Sequence, residues 1–190
     1  MDLALVRALL DGLTPFDDIE AEHLARMRAL AESEGDPCAR GRFRPGHFTA
    51  SAFVLSPDEA NMLLILHPKL QRWLQPGGHI EPDDESPAGA ARRELVEETG
   101  LAGARLHPRV SGLFDVDVHE IPARKDEPAH LHFDLRFLFV AERTEEAMAT
   151  SEVSAFAWLP LDEAAREGDL SVARAVGKVR ALLGNGPVAG

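Results

Sequence analysis

Residues Arg93-Glu94-Leu95-Val96-Glu97-Glu98-Thr99-Gly100-Leu101 constrain this chain more than any other stretch. They follow Ser86-Pro87, a helix-start signal, and run into Gly100, a helix stop. At about 100° per residue, with Glu94 as zero, Glu97 falls at about 300° and Glu98 at about 40°, so the three carboxylates share an arc of about 100°. Ala90 falls on the same arc and leaves room above the acids. Like charges at this spacing destabilise a helix by about 0.2–0.5 kcal/mol per pair. Glu97 and Glu98 also stand in the last turn, where the helix dipole disfavours negative charge. A solvated acidic face is the ordinary fate of such a triplet. The loop ahead of it argues for a cation instead. Gly77 and Gly78 permit close backbone approach, and glycine carbonyls, like carboxylates, are hard oxygen donors suited to Mg²⁺. Arg93 can reach Glu97 one turn on and hold a carboxylate in place; its bland alternative is a surface ion pair worth at most about 1 kcal/mol.

Around this helix the chain reads as helices, then strands on both sides of the acidic helix, then a last helix. Asp2 to Leu10 is a short amphipathic helix. Thr14-Pro15-Phe16-Asp17 starts a second, with Thr14 as N-cap, running to about Glu34 and ending at Gly35, with Ile19, Leu24, Met27 and Leu30 on one face. Asp36 to Gly46 is a loop. Phe48 to Leu55 and Met62 to Leu66 read as a strand–turn–strand unit, and Trp73 to Pro82 is too rich in Gly and Pro to be regular. Further strands are expected near Arg109 to Val118, Leu131 to Val140 and Val153 to Leu159, and a final helix over Ser171 to Leu183. The expected domains are a helical extension over 1–40, a catalytic-type domain over 41–184 and a disordered tail over 185–190. This order indicates an α/β or α+β sandwich.

Charge narrows the partners. A formal net charge of −12 argues against a nucleic-acid polymer, which is bound by clustered Lys and Arg. A small phosphorylated ligand stays open, because divalent cations can sit between it and an acidic site. No run approaches the roughly 20 apolar residues of a membrane span, and the first residues make a poor signal peptide. The single cysteine, Cys38, excludes an internal disulfide framework. A cytoplasmic protein is the simplest reading.

A second constellation is His130-Leu131-His132-Phe133-Asp134-Leu135-Arg136-Phe137. On a strand, His130, His132, Asp134 and Arg136 share one face, and the apolar residues share the other. The polar face is expected to line a substrate cleft, with Arg136 or the histidines on phosphate; the alternative is the wet side of an edge strand. A zinc site from His130, His132 and Asp134 rests on spacing alone, which is weak evidence. His79, beside the Gly pair, is a further candidate for phosphate contact. Trp73 suits core packing, and Cys38, in a loop without a sequence-close His, is assigned no catalysis.

The stretch from Gly78 through Glu85 and Arg93 to Leu101 resembles the Nudix signature. Its second half matches at every fixed position. Its first half is one residue longer: counted back from Arg93 the early acid is Glu85, and counted forward from Gly78 it is Asp84. The resemblance extends from about His47 to Leu161. It implies a Nudix-type α/β/α sandwich with a mixed sheet, preceded here by the helical extension. It implies a hydrolase that uses water and Mg²⁺ or Mn²⁺ to cut a diphosphate linkage in a small nucleotide-like substrate. Glu94, Glu97 and Glu98 would carry the metal, with the Gly78 carbonyl beside them, and Arg93 would support them. The general base would be a helix Glu (Glu97 or Glu98) or Glu152, which stands six residues before Trp158. A non-catalytic nucleotide-binding sensor is the main alternative, but sensors usually lose signature acids. Isomerisation of an allylic diphosphate would need a catalytic cysteine where Cys38 does not stand. The N-terminal helices would cap the sandwich or form a homodimer interface. The chain has no Tyr and no run like the one that marks NADH pyrophosphatases, so the substrate within the family stays open.

Overall fold

The computed structural model describes residues 1–67, 71–124, 127–143 and 155–184. Its contacts group into two compact units: Met1–Ser51, Gly77–Glu94 and Gly112–Phe137 in the first, Ala52–Pro76, Leu95–Ser111 and Leu138–Gly190 in the second. Two long strands, β1 (Gly46–Leu55) and β7 (His130–Val140), run through both.

The first unit opens with helix α1 (Leu3–Gly12), capped by the Asp2 carboxylate, which accepts from the Ala4 amide. Helix α2 (Asp18–Ala31) follows and packs on α1. It begins three residues later than Thr14 and Pro15 suggest. Asp17 is the cap: its side chain accepts from the Glu20 amide at 2.7 Å, while Glu20 reaches back to the Phe16 amide at 2.7 Å. Two exposed donors are satisfied by this reciprocal pair, and Thr14 has no comparable bond to offer. Leu24, Met27 and Leu30 are buried as expected, but Ile19 is 57% exposed, because at about 100° per residue it falls at the rim of the buried arc, about 80° from Met27.

Helix α2 packs on β6 (Asp115–Ile121). β6 pairs antiparallel with β7 from Asp115↔Arg136 to Ile121↔His130. On its other edge β7 neighbours β1. Leu131 donates to the Pro45 carbonyl, and Ala141 donates to the Leu55 carbonyl. The sequence offset is the same at both points, so β1 and β7 run parallel. β7 is therefore no edge strand, and the burial of His130, Asp134 and Arg136 removes the solvent-facing alternative for its polar side. β1 carries β4 (Gly77–His79) antiparallel, in register Thr49↔His79, Ala50↔Gly78 and Ser51↔Gly77.

In the second unit the end of β1 pairs with β2 (Asn61–His67). β2 also pairs with β3 (Arg72–Leu74) and β8 (Ala155–Pro160). The last residues of β7 pair with β5 (Arg105–Leu106). Helices α4 (Leu161–Glu167) and α5 (Leu170–Leu182) pack on one another, and α4 lies on β2, β3 and β8. Parallel and antiparallel pairing together make the mixed sheet of an α+β fold. Every residue of β1 is buried, as a strand covered on both faces requires.

Three expectations are corrected here. The stretch from Trp73 to Pro82 contains two short strands, β3 and β4. Glycine makes β4 possible: a Cβ on Gly77 would stand 2.3 Å from the Ser51 Cβ and 2.8 Å from the Ala50 carbonyl oxygen. The strand placed near Arg109 to Val118 begins at Asp115, after a turn in which the His107 side chain accepts from the Arg109 amide. Helix α4 was not anticipated; its seven residues are too few to show a helical period. Val153, Glu152 and the tail over 185–190 lie outside the described residues.

Candidate active site

Helix α3 (Pro87–Thr99) forms where the sequence indicates. The Ser86 hydroxyl accepts from the Gly89 amide at 3.0 Å. At the far end Gly100 adopts a φ of 75° and donates to the Val96 carbonyl, the left-handed stop that glycine takes without strain. Ala90, Ala91 and Leu95 are buried. Glu94 and Glu98 are half-buried and Glu97 is exposed, one turn apart on the same helix.

Strand β4 brings its backbone against the start of this acidic arc. A Cβ on Gly78 would lie 2.6–2.7 Å from the Glu94 carboxylate atoms. Only glycine leaves that carboxylate its place beside the strand. Arg93 fastens the arrangement. Its Nη1 donates to Glu94 at 2.9 Å, and its Nη2 donates to the His79 carbonyl at 2.8 Å. Its Nε and Nη2 fork onto the two oxygens of Asp84 at 3.1 and 3.0 Å. This planar, two-point contact is the geometry arginine makes best. Asp84 also accepts from the Glu81 amide at 2.8 Å. Burial pushes the Asp84 carboxyl up, but the bonds from Arg93 and Glu81 outweigh it and hold it below its ordinary value. So Asp84 is the acid that ties the loop to the helix, whereas Glu85 is exposed. Sequence counting left the two level; the inserted residue places Asp84 inward.

The His79 ring leads to a second group. Its centroid lies 5.2 Å from those of His47 and His132. His47 is in turn 5.2 Å from His130 and 4.9 Å from His132. Burial, then Arg40 and His47, bring His79 down to about 4. Burial, then His119 and His47, bring His132 down to about 2. His47 is lowered too, chiefly by burial. These rings are neutral near pH 7. His47 was absent from the sequence candidates, because only the pairing of β1 with β7 sets it beside His130 and His132.

Arg136 and Asp134 lie in the core. The Arg136 side chain is 2% exposed and meets Asp134 at 2.8 Å, Asp117 at 3.1 Å and Asp115 at 3.4 Å. Asp134 also accepts from the Thr49 and Ser51 hydroxyls at 3.1 and 2.7 Å. Burial lowers the Arg136 pKa, but the carboxylates, Asp117 first, raise it beyond its ordinary value. Burial raises Asp117, and Arg136 and His119 bring it well below the usual carboxylate range. With its donors directed at three carboxylates, Arg136 has only an indirect influence left to exert on a phosphate. Cys38 is buried, and its thiol is pushed up to about 11 by burial and by Asp36, which is not the state of a nucleophile.

Among the described residues no helix is long and apolar enough to cross a membrane. Residues 45–177 match the NUDIX domain. A Lactococcus lactis subsp. cremoris protein named "Probable DHNTP pyrophosphohydrolase" is 35% identical over 149 residues, 77% of this chain and 83% of that protein. Among solved structures, a Caenorhabditis elegans Ap4A hydrolase superposes with a TM-score of 0.57 at 17% identity, covering 72% of this chain and 97% of the other. The Escherichia coli dihydroneopterin triphosphate pyrophosphohydrolase superposes with a TM-score of 0.56 at 19% identity, covering 72% and 94%. These two likenesses concern the fold.

Proposed function

Because the chain belongs to the NUDIX family and is a Nudix hydrolase, we propose that it cuts the diphosphate linkage of a small nucleotide-like substrate with Mg²⁺ or Mn²⁺, using Gly78, Glu94, Glu97 and Glu98 to hold the metal. The observation that carries this reading is the cradle at Gly78, where a backbone without Cβ meets the Glu94 carboxylate. A peptide carbonyl and three carboxylates are the hard oxygen donors such ions take. When bound, the ion neutralises phosphate charge and acidifies a coordinated water.

The chain's own residues supply the rest. Arg93 holds Glu94 and the His79 carbonyl in one place, so the carboxylate does not have to be reorganised when substrate arrives. Glu97 and Glu98 follow one turn later, and one of them, or Glu152, takes the proton from the attacking water. His79 stands closest to this loop and helix and is the first candidate for phosphate contact. In this reading His130, His132, Asp134 and Arg136 set the position of the strand behind it. Exposed Leu5, Phe16 and Ile19 on and beside α1 and α2 are the apolar groups a homodimer contact would use, which sedimentation of the purified chain tests.

The Lactococcus relative makes DHNTP the first compound to try, followed by nucleoside triphosphates, sugar nucleotides and ADP-ribose-like compounds. Release of phosphate or pyrophosphate is measured with Mg²⁺, with Mn²⁺ and with chelator, beside Glu98→Gln. The expected result is metal-dependent turnover reduced at least about 100-fold in the variant, the scale on which loss of one charge-stabilising group acts. Turnover that survives chelator would overturn the metal reading, and turnover unchanged in Glu98→Gln would remove Glu98 from the site.

A further inference from the structure

We propose that His47, His130 and His132 form a second metal site, for a divalent cation of the zinc class, separate from the carboxylates of α3. One ligand nitrogen from each ring lies within 4.8 Å of the others. His47 and His130 are almost wholly buried. The ring nitrogens are not equivalent. The His47 Nδ1 faces the Arg42 carbonyl at 3.1 Å, and the His130 Nδ1 faces the Pro128 carbonyl at 2.8 Å. A carbonyl only accepts, so each Nδ1 carries a proton, and the uncharged form of each ring has its lone pair on Nε2. A backbone carbonyl on the far nitrogen is the usual support of a metal-bound imidazole, fixing both tautomer and ring direction.

Two ring nitrogens of the group have no partner. The Nε2 atoms of His47 and His132 are buried with no hydrogen-bond partner. Buried ring nitrogens left unmatched call for an explanation, and imidazole nitrogens that converge are suited to a shared ligand. A bridging water would donate to two of them, but three imidazole nitrogens within reach of one point are also the donor set of a divalent cation, and neutral imidazole is the form that binds one. Three nitrogens favour a late first-row ion over Mg²⁺, which prefers oxygen. The strands bring the ligands together: His47 enters β1, and His130 and His132 share one face of its parallel neighbour β7. The His79 ring packs against both His47 and His132 but is not one of the three convergent ligands. The sequence had grouped His130 and His132 with Asp134, but Asp134 is taken by Thr49, Ser51 and Arg136.

The test uses the full chain, stripped of metal and carrying Glu97→Gln and Glu98→Gln so that the carboxylate site does not compete. Zn²⁺ is titrated by calorimetry, and Co²⁺ by its visible absorption. One equivalent is expected to bind, and adding His132→Asn should weaken Zn²⁺ affinity at least about 100-fold, beyond the 10–100-fold that loss of a supporting contact brings. His47→Asn serves as the second variant, with circular dichroism of each metal-free variant as the check on folding. X-ray absorption of the zinc-loaded chain with intact histidines needs neither His variant, and it should show imidazole nitrogens at about 2.0–2.1 Å. Absence of binding, an oxygen-only shell, or undiminished affinity in a folded His variant would overturn the proposal and leave a group of packed rings that holds no ion.

Discussion

Arg93 and Arg136 each gather carboxylates in the first unit, but one does so at the edge of solvent and the other in the core. The Arg93 side chain keeps 23% of its surface, and Arg136 keeps 2%. Arg93 spends its donors across two elements, on Asp84, Glu94 and the His79 carbonyl, and so fixes the groups for which the metal role is proposed. Arg136 spends them on Asp115, Asp117 and Asp134, acids that could not stay charged in the core alone. The same ion-pair chemistry thus serves positioning where water has access and charge compensation where it does not. Solvent decides which, because screening keeps exposed pairs weak while burial makes an unpaired charge costly.

The comparison is easiest to break at Arg136. Replacing it by Met leaves three buried carboxylates without their cation, and a loss of about 3–5 kcal/mol is expected in urea unfolding. If Arg93→Met lost as much, the distinction between the two arginines would collapse. Arg93→Ala is expected instead to lower kcat/KM about 100-fold, roughly 2.7 kcal/mol of transition-state stabilisation, with a stability loss of about 1 kcal/mol. Arg93→Lys should recover little of it, since an ammonium cannot fork onto Asp84.

Acid titration gives the next contrast. Asp117 and Asp84 both have folded pKa values below the ordinary 3.8. Their contribution to stability is present above that value and is lost as pH falls through the folded values. Stability measured from pH 6 down to pH 2 should therefore fall. The fall should be shallower in Asp117→Asn, and less so in Asp84→Asn, because Asp117 is shifted further. Equal slopes in the two variants would mean that Arg136 and its neighbours do not hold Asp117 lower than Arg93 and Glu81 hold Asp84. The smallest effect is expected from Thr49→Val, which removes one hydroxyl from Asp134 while Ser51 and Arg136 remain. A loss of about 1 kcal/mol in the midpoint-derived stability is predicted, the usual value of one hydrogen bond.

The acidic helix was legible to within a residue, from Ser86-Pro87 at its start to Gly100 at its stop, because caps and a 3.6-residue period are local signals. β1, β2 and β7 were legible for a similar reason, as apolar runs between turn residues. The cap at Asp17 was missed because two start signals compete there and only the bonds made by Asp17 and Glu20 choose between them. β4 was missed because its glycines look irregular until a neighbouring strand requires them.

Within this chain the sequence alone set Glu94, Glu97 and Glu98 on one side of a helix with Gly78 and Arg93 ahead of them, since each step depends on near neighbours. Tertiary structure alone decided that Asp84 rather than Glu85 faces Arg93, that Arg136 turns inward to three aspartates, and that His47 joins His130 and His132. The first depends on how the loop closes on α3, the second on the pairing of β6 with β7, and the third on the register of β1 against β7, set by contacts between residues more than 80 positions apart such as Ser51 and Asp134, which no local pattern encodes.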